Sequence, residues 1–226
     1  MFRAFRWSVV VMLLSGVPAG AAEAKYVMKT VKAEPPKELK EPIRKLLAGE
    51  SVQVLDPKGA VVCQLWFRKE VTANKATADQ VKNGLSYREL DETTLLGAIQ
   101  YASESTDYRK QKIKAGVYTL RLAFQPMDGD HMGVSAHQEF CLLVSAKLDG
   151  KPGEMDPKGL QELSTKSIGT SHPGVLMLFP YDKPQANPKL VSKANEHWVV
   201  NVKENVKVKD QKTAIGIGLT VVGHAE

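Results

Sequence analysis

The feature that most constrains the fold is a period-two alternation of apolar and polar residues. It is clearest in AGVYTLRLAFQP, where one face carries Tyr118, Leu120, Leu122 and Phe124 and the other carries Thr119, Arg121 and Gln125. Successive side chains of a strand point to opposite faces, so the pattern predicts a half-buried antiparallel strand.

Seven more stretches carry strand signals, and short polar or turn-rich segments separate them. They are ESVQVLD, AVVCQLWFRKE, TTLLGAIQY, HQEFCLLVSAKL, PGVLMLFP, HWVVNVK and TAIGIGLTVVGHA. Strands do not alternate with helices, which argues against a parallel sheet. We therefore predict an all-β, antiparallel, immunoglobulin-like two-sheet sandwich.

Two short peripheral helices complete the predicted fold. EPPKELKEPIRKLLAG ends at Gly49, and DPKGLQELSTKS begins with Asp156 as a cap and Pro157 in the first position. The polar stretch 71–87 is predicted to be irregular.

The N-terminus has the composition of a secretory signal peptide. Arg3 and Arg6 precede the apolar run VVVMLLSGV, which is too short to span a bilayer, and small residues follow. We predict cleavage after Ala24, with Ala21 as the alternative, and a soluble protein exported to the periplasm or the extracellular space. The predicted organisation is a signal peptide over 1–24, an extended segment and short helix over 25–48, and a β-sandwich domain over 49–226.

The charge of the chain argues against nucleic acid as a partner. Residues 1–24 carry two arginines and one glutamate, so removing them changes the net charge from +6 to +5. The lysines between Lys183 and Lys212 are scattered and lack the interleaved aromatic residues of a nucleic-acid groove. No later stretch is long and apolar enough to span a membrane.

The chain has two cysteines, Cys63 and Cys141. An oxidising compartment makes a disulfide between them a possibility to consider. Strand parity complicates this pairing, because Cys63 falls on an apolar face and Cys141 on a face shared with Glu139 and Ser145. The pairing is left open.

The stretch QPMDGDHMGVSAHQEF, residues 125–140, concentrates candidate metal ligands between two strands. Imidazoles and thioethers suit copper, and added carboxylates suit zinc. The candidate ligands are Asp128, Asp130, His131, His137 and Glu139, with Met127 and Met132 beside them.

Calcium fits this stretch less well. Asp128, Asp130 and Glu139 fall at positions one, three and twelve of a calcium loop, but Met132 at position five has no oxygen ligand. The flanks are also strands rather than helices. The remaining interpretation is a polar hairpin connection in which Gly129 and Gly133 supply turn geometry.

Signals for catalysis are weak. Ser171 precedes His172 directly, but neighbouring side chains on an extended chain point apart, and the chain has no nucleophile-elbow, phosphate-loop or dinucleotide motif. Trp66 lies on the polar face of its strand. We expect a helical layer to cover it, rather than a ligand to stack on it.

Four strings resemble a group of secreted bacterial β-sandwich proteins that has no assigned activity: LWFRKE, DYRKQKIKAGVYTLRLAFQPMDGDHMG, SHPGVLMLFP and VVGHAE. AGVYTLR is also similar to a turn and strand of transthyretin-like sandwich domains. The resemblance covers most of the chain after residue 24. It implies a sandwich fold and export, and it assigns no residue a role.

The sequence thus predicts an exported binding module that contacts an extracytoplasmic ligand or protein through the loop 127–137. The alternative is a copper or zinc protein that uses His131 and His137. A weaker alternative is a hydrolase that uses Ser171 and His172.

Overall fold

The computed structural model describes residues 25–126, 135 and 137–225, and these form a mostly β protein with antiparallel pairing throughout its main sheet except at one strand. The strands are β1 Val27–Lys32, β2 Glu50–Leu55, β3 Val61–Phe67, β4 Val71–Thr72, β5 Leu95–Tyr101, β6 Ser105–Thr106, β7 Lys112–Ile113, β8 Gly116–Phe124, β9 Glu139–Ser145, β10 Val175–Phe179, β11 Lys189–Ser192, β12 Trp198–Val208 and β13 Gln211–Val222. The helices are α1 Glu41–Arg44, α2 Ala78–Asn83 and α3 Pro157–Ile168, and Tyr87–Glu89 forms a 3-10 turn.

One large curled sheet contains eleven of the described strands. Its order is β1, β2, β3, β5, β8, β9, β10, β13, β12, β11, and β4 pairs in parallel with β12. β6 and β7 form a separate two-stranded ribbon. All eight strands predicted from the period-two signals are present.

The main core lies between the two halves of this curled sheet. It takes side chains from β2, β3, β5, β8 and β9 on one side and from β12 and β13 on the other. Ile215, Ile217, Leu219 and Val221 point into it, as their alternation predicts. On the other face of β13, Gly218 has no side chain where the backbone of Phe179 crosses, because an added Cβ would lie 2.7 Å from the Phe179 carbonyl oxygen.

Helical segments cover the outer face of the first half of the sheet. Leu39, Ile43 and Leu47, in and around α1, pack on Trp66, whose Nε1 donates to the Ala33 carbonyl at 2.9 Å. The expectation that a helical layer covers Trp66 is therefore confirmed. α3 covers the neighbouring strands through Leu160.

The prediction that β8 is half-buried was wrong. Residues 117–123 are all buried, including Thr119 and Arg121 on the face predicted to be polar. The residues that cover this face come from distant segments, which a single strand's alternation does not show.

Cys63 and Cys141 are separate buried thiols in this structure and do not form a disulfide. They lie in β3 and β9, three strand positions apart along the sheet. That is roughly 14 Å along the sheet, whereas bridged Cα atoms lie within about 7 Å. Burial raises the pKa of both thiols, that of Cys63 to about 12, so both are neutral and unreactive at physiological pH.

The prediction that Cys141 lies on a half-polar face was also wrong, because Cys141 belongs to the main core with Leu143.

α2 lies in the stretch predicted to be irregular, and a reciprocal capping box between Thr77 and Gln80 begins it. No helix in the described part of the chain is long and apolar enough to cross a membrane.

Candidate functional site

The predicted loop is only partly described. Asp128, Asp130 and His131 lie outside the described residues, as do Met127 and Met132, so the ligand set predicted there is untested. His137 is described, and its ring meets the edge of Phe179 at a centroid distance of 4.7 Å.

Glu139 is part of an ion pair. Its Oε1 accepts from Arg88 Nε at 2.8 Å, and Arg88 Nη2 donates to Gln138 at 2.8 Å. The guanidinium also lies over the Phe124 ring, 4.4 Å from its centroid. Glu139 thus anchors the base of the loop.

The other histidines that the structure describes do not group with His137 as ligands. The two ring nitrogens of His197 lie 2.8 and 2.9 Å from the carbonyl oxygens of Ala194 and His224. The ring of His224 lies 3.1 Å from the Asp107 carbonyl oxygen. Among the described residues, no three His, Cys, Asp or Glu side chains are grouped to hold a metal ion.

Ser171 and His172 lie exposed in the turn between α3 and β10. The carbonyl of His172 accepts from the Thr170 hydroxyl at 2.8 Å. The hydrogen bonds of the described residues do not join the Ser171 hydroxyl to an imidazole.

A cavity of about 300 Å³ lies at the end of the sheet where the predicted loop begins. β3 and β8 end there and β5 and β9 begin there, because Phe67 pairs with Gly97, Leu95 with Arg121, and Phe124 with Glu139. We call this region, which comprises the described residues 68, 94–95, 125–126 and 137–138, the loop end. The cavity is lined by Leu46, Arg68, Thr72, Asn74, Thr94, Leu95, Pro152, Gly153 and Glu154.

Arg68 is the cationic residue of the cavity wall. It directly follows β3, and its backbone amide donates to the Leu96 carbonyl at 3.1 Å. Its Nε is buried and has no hydrogen-bond partner among the described residues. Burial lowers the pKa of Arg68 and the nearby Glu204 raises it, but a guanidinium stays charged in proteins. Arg68 therefore brings a positive charge to the cavity wall.

Glu204 lies behind Arg68, on the core-facing side of β12 between Val202 and Val206. It is 2% exposed, and its Oε1 has no hydrogen-bond partner among the described residues. Burial raises the pKa of Glu204 to about 9, against the opposing effect of Arg68. Each of the two side chains thus favours the charged form of the other, and burial opposes both effects.

A buried ion pair fixes the opposite wall of the cavity. Arg121 and Asp149 are fully buried, and Nε and Nη2 of Arg121 donate to the two carboxylate oxygens at 2.7 and 2.9 Å. The remaining donors reach the carbonyls of Thr93, Lys151 and Gly153, so all five N–H groups are used. This network holds the 149–155 segment over the sheet and places Pro152, Gly153 and Glu154 at the cavity.

Neither Arg68 nor Glu204 was predicted from the sequence as a site residue. A signal existed for Glu204, because the alternation of Trp198, Val200 and Val202, if continued, places it on the inward face. A glutamate at an apolar position of a strand is a typical mark of a special environment. Arg68 had no comparable signal.

Comparisons with protein-family models, with curated proteins and with solved structures gave no match to this chain. The site is therefore interpreted from its own geometry.

Proposed function

We propose that this protein is an exported binding protein that takes a small ligand at the loop end, in the cavity beside Arg68. The observation that carries the proposal is the Arg68 side chain, which lines a cavity of about 300 Å³ and enters none of the ion pairs of the described residues. A guanidinium beside such a cavity can donate charge-assisted hydrogen bonds to a polar ligand group.

The position of the cavity supports the same proposal. Binding residues concentrate in loops that a rigid scaffold holds, and the cavity combines sheet ends with the 149–155 segment. The loop 127–137 predicted to bind a partner departs from the same end.

The scaffold that we propose for this function is the immunoglobulin-like two-sheet sandwich of the sequence analysis. It is supported by the main core, which takes side chains from both halves of the curled sheet. Export, with cleavage after Ala24 or Ala21, and kinship with secreted bacterial sandwich proteins remain part of the proposal.

Metal binding stays a prediction. His131 and His137, with Asp128, Asp130 and Glu139, would hold copper or zinc, and calcium is the lesser alternative. Metal analysis of protein purified without a histidine tag decides it. Substoichiometric copper, zinc and calcium would exclude a resident ion.

Native mass spectrometry of the protein purified from the exporting cell tests the proposed function. We expect a bound small molecule on the wild-type protein and its loss from the Arg68→Gln variant. Arg109→Gln removes the same charge from an exposed position and should keep the adduct. An adduct carried equally by all three proteins would contradict the placement at Arg68.

A further inference from the structure

The cavity wall carries one positively charged and one negatively charged side chain. Arg68 supplies the cation and Glu154 the carboxylate, and the seven other lining residues are uncharged. A simple anion would be repelled by Glu154, and a simple cation by Arg68. A ligand with one group of each charge is attracted by both.

Arg68 fits a carboxylate. A guanidinium presents its donors in a planar fork that matches two carboxylate oxygens, and bonds between charged partners are stronger than neutral ones. Glu204, the carboxyl group behind Arg68, forms no ion pair with it among the described residues. The guanidinium therefore keeps its charge available to a ligand.

Glu154 fits an ammonium group. It is exposed, and the ion pairs of the described residues do not include it. The nearby Lys75 instead pairs with Asp91 at 2.6 Å. The carboxylate of Glu154 is thus open to a ligand cation.

The rest of the wall limits the size and polarity of the ligand. Leu46 and Pro152 offer apolar surface, and the exposed Thr72 and Asn74 offer neutral hydrogen-bonding groups. A volume of about 300 Å³ is at the small end of the range for ligand sites, roughly 300 to 1,000 Å³. This suits a single residue-sized molecule with an apolar or weakly polar side chain.

We propose that the cavity binds a free α-amino acid, whose carboxylate lies on Arg68 and whose ammonium group lies on Glu154. The inference rests on the proposed binding function and names its ligand class. Thr72 and Asn74, both exposed on the cavity wall, offer further hydrogen-bonding groups to the same molecule.

Calorimetric titration of the protein with each standard L-amino acid tests this inference. Each is compared with its N-acetyl derivative, which lacks the ammonium group, and with its amide, which lacks the carboxylate. We expect at least one amino acid to bind with a submillimolar Kd, and both derivatives to bind at least tenfold more weakly.

The variants separate recognition from folding. Arg68→Gln should abolish binding of the amino acid, and Arg109→Gln should leave it unchanged. Glu154→Gln should weaken binding of the amino acid several-fold and leave the N-acetyl derivative unaffected, which a folding defect would not do.

Two results would overturn the inference. If no amino acid binds, or if the amide binds as tightly as the parent, the ligand is not an amino acid. In either case a native adduct that Arg68→Gln removes would still support the binding function, so the two proposals fail separately.

Discussion

Glu204 lies at a position of β12 whose neighbours on the same face are valines. Burial raises its pKa from 4.5 to about 9. Between these two pH values the folded protein keeps a proton that the unfolded chain has released, so the free energy of unfolding falls as pH rises through this window. Below this window the Glu204 carboxyl group is neutral in both the folded and the unfolded state, so its burial carries no penalty for a charge. Above the window the folded state contains a buried carboxylate anion.

We therefore predict that Glu204→Gln removes a pH dependence of stability. Urea unfolding should show the wild-type protein losing stability from pH 5 to pH 9, and the variant should be more stable than wild type by about 1 to 3 kcal/mol at pH 8. Glu154→Gln, at an exposed carboxylate, is the control. Equal pH dependence in wild type and Glu204→Gln would contradict the buried, protonated state.

Arg121 is the opposite case, a buried charge with every donor used. Replacing it with Met leaves Asp149 buried without its partner, so we expect a loss of about 3 to 5 kcal/mol in the free energy of unfolding. Chemical denaturation measures it. A loss below about 1 kcal/mol would show that the pair does not hold the 149–155 segment.

At the scale of elements, the segment around α1 proves to be part of a core. Ile43 is fully buried in the cluster that covers Trp66. Ile43→Ala should cost about 2 to 5 kcal/mol because it leaves a cavity under the helix. Tryptophan-detected urea unfolding checks this, with Val27→Ala at the 53% exposed Val27 as a control expected to change little. Equal effects of the two substitutions would contradict the buried role of α1.

The elements differ in how far the sequence predicts them. Strands with a sustained apolar alternation were predicted because their own residues decide which face is buried. Whether short edge strands such as β4 and β11 form depends on their partner strands. The face of β8 that was predicted to be polar is covered, and its Arg121 pairs with Asp149, 28 residues away in sequence. The capping box of α2 did not lead to a helix prediction, because no apolar periodicity accompanies it. None of the residues of α2 is buried.

At the scale of the whole molecule, the proposed cavity lies at the end of the sheet from which the predicted loop departs, and none of the residues that line it was predicted from the sequence as a site residue. The loop 127–137 was predicted as the site because of its His and Asp residues. Arg68 directly follows β3 and Glu204 lies in β12, and only the topology of the curled sheet brings these two residues near each other. The proximity of residues 136 positions apart cannot be read from local patterns.

Export is the other prediction at this scale. N-terminal sequencing of the protein from the exporting cell should begin at Lys25, or at Ala22 if cleavage follows Ala21. An intact Met1 on the exported protein would contradict the predicted signal peptide.

The most direct test compares ¹H–¹⁵N spectra of wild-type protein and Arg68→Gln, each with and without small-molecule extract from the native compartment. We predict that the extract shifts the amide signals of residues 68, 72, 94–95 and 153–154 in the wild-type protein and leaves them unchanged in the variant. Unmoved signals at these residues, or the same shifts in both proteins, would contradict a ligand site built on Arg68.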